Sequence, residues 1–141
     1  VRTLAVARRG ESAENLTYPL AGTPCADVVR GEFCHHPTGV ARAYPDDPML
    51  ADLGIESHMG IVLRAPDRRP IGLAVLLHEA PFPDPVRAEA LLRVAAGRAG
   101  AELARALAEE ALAERETFLR LTQAAARVGS WEWDLATGRM K

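Results

Sequence analysis

The chain has 141 residues, of which 48% are apolar and 26% charged, and its formal net charge is −2. That length holds one modest core, and the composition is ordinary for a globular protein. There is no basic stripe of the kind a nucleic-acid footprint needs, and the longest apolar run, Ile71 to Leu77, falls far short of the ~18–20 residues of a membrane span.

In chain order, Leu4-Ala5-Val6-Ala7 reads as a strand ended by the turn Arg8-Arg9-Gly10. Leu16-Thr17-Tyr18-Pro19-Leu20 alternates and reads as a second strand, its proline suited to an edge. Three helix starts pair a capping residue with proline: Thr23-Pro24, Asp47-Pro48 and Asp84-Pro85. At each, the cap side chain is expected to accept a hydrogen bond from a free helix N–H, and the proline has no N–H to leave unpaired. Gly31 and Gly54 are expected to end the first two helices. Met59 to Arg64 and Pro70 to His78 are the strongest strand candidates, joined as a hairpin by Pro66-Asp67-Arg68-Arg69. Cys34-His35 lies in strand-like sequence before Pro37-Thr38-Gly39.

From Val86 to about Val128 no proline occurs, which predicts a helix of ~42 residues and ~60 Å. Ala104, Ala111, Phe118 and Ala125 recur every seven residues, and Leu107, Glu114, Leu121 and Val128 recur beside them. This is a heptad seam with one exception, Glu114, and it predicts a parallel two-stranded coil, hence a homodimer, the alternative being a long amphipathic helix lying on its own sheet. Glu116 and Arg120 form an i,i+4 pair off the seam. Beyond Gly129-Ser130, Trp131-Glu132-Trp133 alternates like a strand, and Asp134 to Gly138 reads as a turn. Half a hairpin buries no core, so a second domain is expected to follow.

The blocks Tyr18-Pro19-Leu20-Ala21-Gly22-Thr23-Pro24-Cys25, Val28-Val29-Arg30-Gly31, Tyr44 to Leu50, Leu53 to Ser57 and Ile71 to Leu76 resemble the GAF domains of bacterial sensor kinases and cyclic-di-GMP enzymes. The resemblance covers about residues 1–105, and it departs from the family in lacking the helix and strand that usually come first. Ala126 to Leu135, with Thr137-Gly138, resembles the start of a PAS domain. Together these imply a sensor domain over 1–105, a coupling helix over 106–128 and the first strand of a PAS domain over 129–141. They also imply an α+β fold: a mainly antiparallel sheet with short flanking helices and a long C-terminal helix. In that family a ligand lies between the sheet and a loop-and-helix cover, here Tyr44 to Leu53. An unidentified small molecule would then meet Cys34, Tyr44, Met49, Leu53 and His58; the alternative is that Met49 and Leu53 are core and His58 caps a strand end.

Other chemistry finds less support in the residues. Cys25, Cys34, His35 and His36 are metal-ligating types, but the spacing is not that of a zinc finger, and adjacent strand residues point to opposite faces. No metal and no cofactor are required. In phytochrome-type GAF domains a cysteine–histidine pair on a helix holds a bilin, whereas Cys34-His35 lies in strand-like sequence. The cyclic-nucleotide motif of some GAF domains needs an interior lysine, and the one lysine here is Lys141. Asp46 and Asp47 read as turn and cap residues, and the Arg8-Arg9 and Arg68-Arg69 pairs as solvated turn charge. Two cysteines make no disulfide framework, and no basic-then-apolar segment opens the chain, so a reducing, cytoplasmic location is expected. The expected role is a non-catalytic sensory module coupled through its long helix to a PAS and an output domain. A ligand-free dimerisation or spacer element is the first alternative. A thiol enzyme of the methionine sulfoxide reductase type, using Cys25 or Cys34, is the second.

Overall fold

A computed structural model describes residues 1–126, 133–134 and 139–140. It divides into two units, Val1–Leu103 and Ala104–Lys141.

The first unit is a mixed arrangement of small antiparallel sheets and helices. Strands β1 (Val6–Arg8) and β2 (Glu11–Ala13) pair in register Val6↔Ala13 and Arg8↔Glu11. Their two turn residues, Arg9 and Gly10, both take positive φ (51° and 85°), as a type I′ hairpin turn requires. The expected strand over Leu16–Leu20 does not form. Thr17 makes one isolated bridge to Arg2, flanked by hydrogen bonds between Leu16 and Thr3 and between Tyr18 and Val1. Pro19 has no N–H for a ladder, which limits the pairing there.

Helix α1 (Pro24–Gly31) leads into β3 (Phe33–His36), the edge of a three-stranded antiparallel sheet ordered β3-β4-β5. Strands β4 (Ser57–Arg64) and β5 (Pro70–His78) are the expected hairpin, with a register shift at Leu63/Arg64. Between β3 and β4 lie two short helices, α2 (Val40–Ala43) and α3 (Pro48–Asp52). The first has no proline signal and was not expected from sequence. Glu56 holds its start, accepting hydrogen bonds from Gly39 N–H through its side chain and from Val40 N–H through its carbonyl.

Helix α3 ends as expected at Gly54, at φ 65°. Ile55 N–H donates to Leu50 and Gly54 N–H to Ala51, the paired bonds of a Schellman motif. The motif brings Ile55 back onto Leu50, and the two form a core cluster with Val40, which Ala41, Tyr44 and Leu53 pack against. Helix α1 ends differently from expectation. Gly31 stays helical, and Glu32 takes the positive φ, 68°. There the Glu32 carbonyl accepts from Val62 N–H at 2.9 Å, and the Arg64 guanidinium lies 2.6 Å from the Glu32 carboxylate.

The capping expectation is met once in three. Asp84 Oδ1 accepts from Arg87 N–H at 2.9 Å. Thr23 instead turns its hydroxyl to the Leu20 carbonyl, and the Asp47 side chain makes no cap bond.

The sheet is covered on both faces. On one, Cys34, His36, His58 and Gly60 share a side by strand alternation and register. There α1 lies so close that a Cβ on Gly60 would stand 2.5 Å from Val28 Cγ2. On the other, Met59, Ile61 and Leu63 face helix α4 (Pro85–Ala126), one uninterrupted element of 42 residues. Leu92, Ala96 and Gly100 are its buried positions, one helical turn apart. Arg93 lies over the Phe33 ring at 4.7 Å. Gly100 is placed so that a Cβ would meet the Arg64 carbonyl oxygen at 2.8 Å.

In the second unit the helical side chains from Arg105 to Ala125 are all exposed. The residues beyond the helix are described only as the antiparallel pair β6 (Trp133–Asp134) and β7 (Arg139–Met140). The rest of the expected PAS start, and Val128 of the seam, lie outside the described residues. Among the described residues no helix is long and apolar enough to cross a membrane.

Candidate functional site

The α1-covered face of the sheet gathers the chain's polar chemistry. Two residues apart on β3, Cys34 and His36 project to the same side, and Cys34 Sγ lies 3.2 Å from His36 Nε2. The same nitrogen lies 3.0 Å from the hydroxyl of Tyr44, at the C-terminus of α2. That hydroxyl donates to Asp27 Oδ2 on α1, and Arg30, one turn on, pairs with the other carboxylate oxygen at 3.3 Å.

The direction of this chain follows from its anchor. A carboxylate only accepts, so Tyr44 spends its one proton on Asp27. The Tyr44 oxygen can then only accept from His36, which must carry its proton on Nε2. That single N–H is shared between Tyr44 Oη and Cys34 Sγ. Three elements, α1, α2 and β3, are thereby tied through the Tyr44 hydroxyl.

His58 completes the cluster. It pairs with His36 across the β3–β4 ladder, their ring centroids 6.0 Å apart, and it has 0% exposure. Neither of its ring nitrogens has a hydrogen-bond partner among the described residues. Native interiors rarely leave such groups unpaired, since each costs about 1–3 kcal/mol. Burial, then the neighbouring His36 and His35, push the imidazole down to about 4, with Asp27 opposing. His58 is therefore neutral at physiological pH, with one donor and one acceptor unused.

The Tyr44 phenol and both thiols stay protonated. Burial, reinforced by the hydrogen bond to Asp27 and its charge, raises the Tyr44 phenol. Burial, then the Asp27 and Cys25 charges, raises the Cys34 thiol. Cys25, on the buried side of α1, is raised by burial and lies 3.4 Å from the Tyr18 hydroxyl. Neither cysteine has the electropositive setting that makes a thiolate nucleophile. Among the described residues no group of three His, Cys, Asp or Glu is disposed to hold a metal ion.

Of the residues that sequence assigned to a ligand, Cys34, Tyr44 and His58 meet in this cluster. Leu53 packs on Val40, Leu50 and Ile55, and Met49 is half-buried in α3. Asp27 and His36 were not assigned. Strand alternation from Cys34 and pairing with His58 place His36, but only once the β3–β4 register is known. Asp27 carries no local signal, since its role depends on where α2 delivers Tyr44.

No protein-family model, curated protein or solved structure matches this chain.

Proposed function

We propose that this chain is a non-catalytic sensory module of GAF type, in which the Asp27–Tyr44–His36–Cys34 chain and His58 respond to a small polar ligand and α4 relays the response. The observation that carries the reading is α4 itself. It is one 42-residue helix that starts behind the strands bearing the cluster and continues into the second unit. Arg93 and Gly100 bear directly on Phe33 and Arg64, residues of the two strands whose opposite face holds Cys34, His36 and His58. A helix packed on one side of a stiff sheet moves when the other side is repacked, because close-packed interiors transmit strain. A coupling of about 1–3 kcal/mol is typical of such relays. The downstream PAS and output domains, the cytoplasmic location and the homodimer belong to the same proposal.

One observation favours the spacer alternative. His58 is fully covered, and Val28 lies directly on Gly60, so a ligand must displace α1 to reach the orphan nitrogens. Native mass spectrometry of the freshly purified chain separates the two. A retained small molecule, lost on Tyr44→Phe, fits the sensor. A bare mass from every preparation fits the spacer. The thiol-enzyme alternative is disfavoured by the raised thiols. It predicts that alkylating Cys25 and Cys34 abolishes turnover, where the sensor reading expects no turnover at all.

A further inference from the structure

His58 sits where the fold has least room for a charge. It is fully buried on the central strand β4, between His36 on β3 and Leu77 on β5, and neither ring nitrogen has a hydrogen-bond partner among the described residues. Two residues on, Gly60 lets Val28 of α1 close down over the same face, and a Cβ there would stand 3.1 Å from His58 Cε1. The titratable and charged groups on the elements around the ring are Cys25, Asp27 and Arg30 on α1, Cys34 and His36 on β3, His35 on the opposite face of β3, and Tyr44 at the end of α2. Strand β5 sets Leu77 opposite it.

The one carboxylate of that set is already committed. Asp27 takes the Tyr44 proton on one oxygen and Arg30 on the other. A protonated His58 would therefore hold two N–H donors and a full charge with no acceptor, beside a second imidazole, His36. Interiors do not keep such a charge dry: either the proton is refused or water is let in. In the closed fold the imidazole is held down at about 4, against an ordinary 6.5, so a state in which water reaches the ring takes up the proton more readily. As pH falls through that window the open state gains on the closed one, by up to roughly 300-fold.

What opens is decided by how each neighbour is held. Strand β4 is hydrogen-bonded along both edges, to β3 and to β5. Helix α1 is eight residues long and lies on the sheet through its side chains, Val28 against Gly60 above all. Segments with few backbone bonds to the rest are the ones that open locally. The face that α1 turns to the sheet carries Cys25 and Val28, one helical turn apart and both buried, so lifting the helix uncovers a thiol.

We infer that α1 is an acid-released cover: protonation of His58 lifts it from the sheet and uncovers Cys25, while the β3–β4–β5 ladder stays intact. The device needs neither a bound ligand nor a relay through α4, and it stands or falls without them.

Thiol labelling of the full chain tests it. Dithiodipyridine modifies thiols in acid as well as at neutrality, and the modified peptides separate Cys25 from Cys34 by mass. Each rate is divided by that of the urea-unfolded chain at the same pH, which removes the pH dependence of the thiol itself. The expected result is a Cys25 rate at least about tenfold higher at about pH 4.5 than at about pH 7.5, with amide protection on β4 and β5 kept. In His58→Leu the two rates should become equal. His58→Gln, which keeps a donor and an acceptor but takes no charge, should behave the same way and serves where the leucine variant does not fold. A wild-type Cys25 rate that is level between the two pH values overturns the inference. A rise that persists in the variants also overturns it, since the proton then acts elsewhere. So does a rise matched by an equal loss of amide protection on β4 and β5, since acid is then unfolding the whole unit rather than releasing its cover.

Discussion

Val28 on α1 sits against Gly60 on β4 so closely that the missing Cβ is what allows the helix to reach the sheet, the two being 2.5 Å apart if that atom is added. His58 Cε1 lies 3.1 Å from the same point. Gly60→Ala must therefore push Val28 and the His58 ring together, or lift α1. The expected loss is about 1–3 kcal/mol of stability, the usual cost of overpacking a core, read as a lower urea midpoint with an unchanged slope. Val28→Ala added to Gly60→Ala should recover part of it, since the clash and its partner are removed together.

Two glycines three residues apart on α4 should answer the same substitution with opposite signs. A Cβ at Gly97 meets nothing within 4 Å, so Gly97→Ala should stabilise by about 0.5–1 kcal/mol through helix propensity. A Cβ at Gly100 meets the Arg64 carbonyl oxygen at 2.8 Å and its nitrogen at 3.3 Å, and backbone does not yield as a side chain does. Gly100→Ala should destabilise by about 1–3 kcal/mol despite the better propensity. Thermal melts of the two variants beside the wild type decide this.

His58 gives the fold a pH dependence of known sign. Its folded value is about 4 against an unfolded 6.5, so the unfolded chain takes up a proton that the folded chain refuses. Stability from this group is complete above 6.5, falls as pH drops toward 4, and loses roughly 3 kcal/mol over that window, below which the slope vanishes. The titratable groups that act on His58 are His36, its partner on β3, His35 on the opposite face of β3, and Asp27 on α1. His58→Leu should flatten the window and raise stability at its acid end. A plot of urea midpoint against pH with the same slope in both proteins would contradict the assignment.

Tyr44→Phe removes the link between Asp27 and His36 while keeping the ring that packs on the Val40–Leu50–Ile55 cluster. The Asp27 side chain is 41% exposed and keeps Arg30 and water as partners, so the cost should be modest, about 1–2 kcal/mol. The His36 ring resonances should shift in NMR spectra, because Nε2–H then has only Cys34 Sγ to meet.

Periodicity and punctuation made much of this fold legible in advance. The β4–β5 hairpin follows from two apolar runs and a polar turn, and the long helix from forty residues without proline. Gly54 announced the end of α3, and Asp84-Pro85 the start of α4. What failed was local chemistry overridden by tertiary partners. Gly31 looked like a helix stop, but the left-handed turn falls on Glu32, whose carbonyl is taken by Val62 N–H on β4. Thr23 looked like a cap, but its hydroxyl finds the Leu20 carbonyl. The site was half legible for the same reason. Cys34, Tyr44 and His58 stand out as residue types, whereas Asp27 and His36 acquire meaning only when α1, α2 and β3 converge. Helix α2, with neither proline nor a side-chain cap of its own, depends on Glu56 seventeen residues away from Gly39.

The central claim is that a change at the Asp27–Tyr44–His36 chain is felt along α4. Amide hydrogen exchange of the wild type and Tyr44→Phe, at one pH and with both fully folded, tests it directly. The account predicts altered protection at residues 104–123 as well as at 24–44. Altered exchange confined to α1, α2 and β3, with residues 104–123 superimposable in the two proteins, would contradict it.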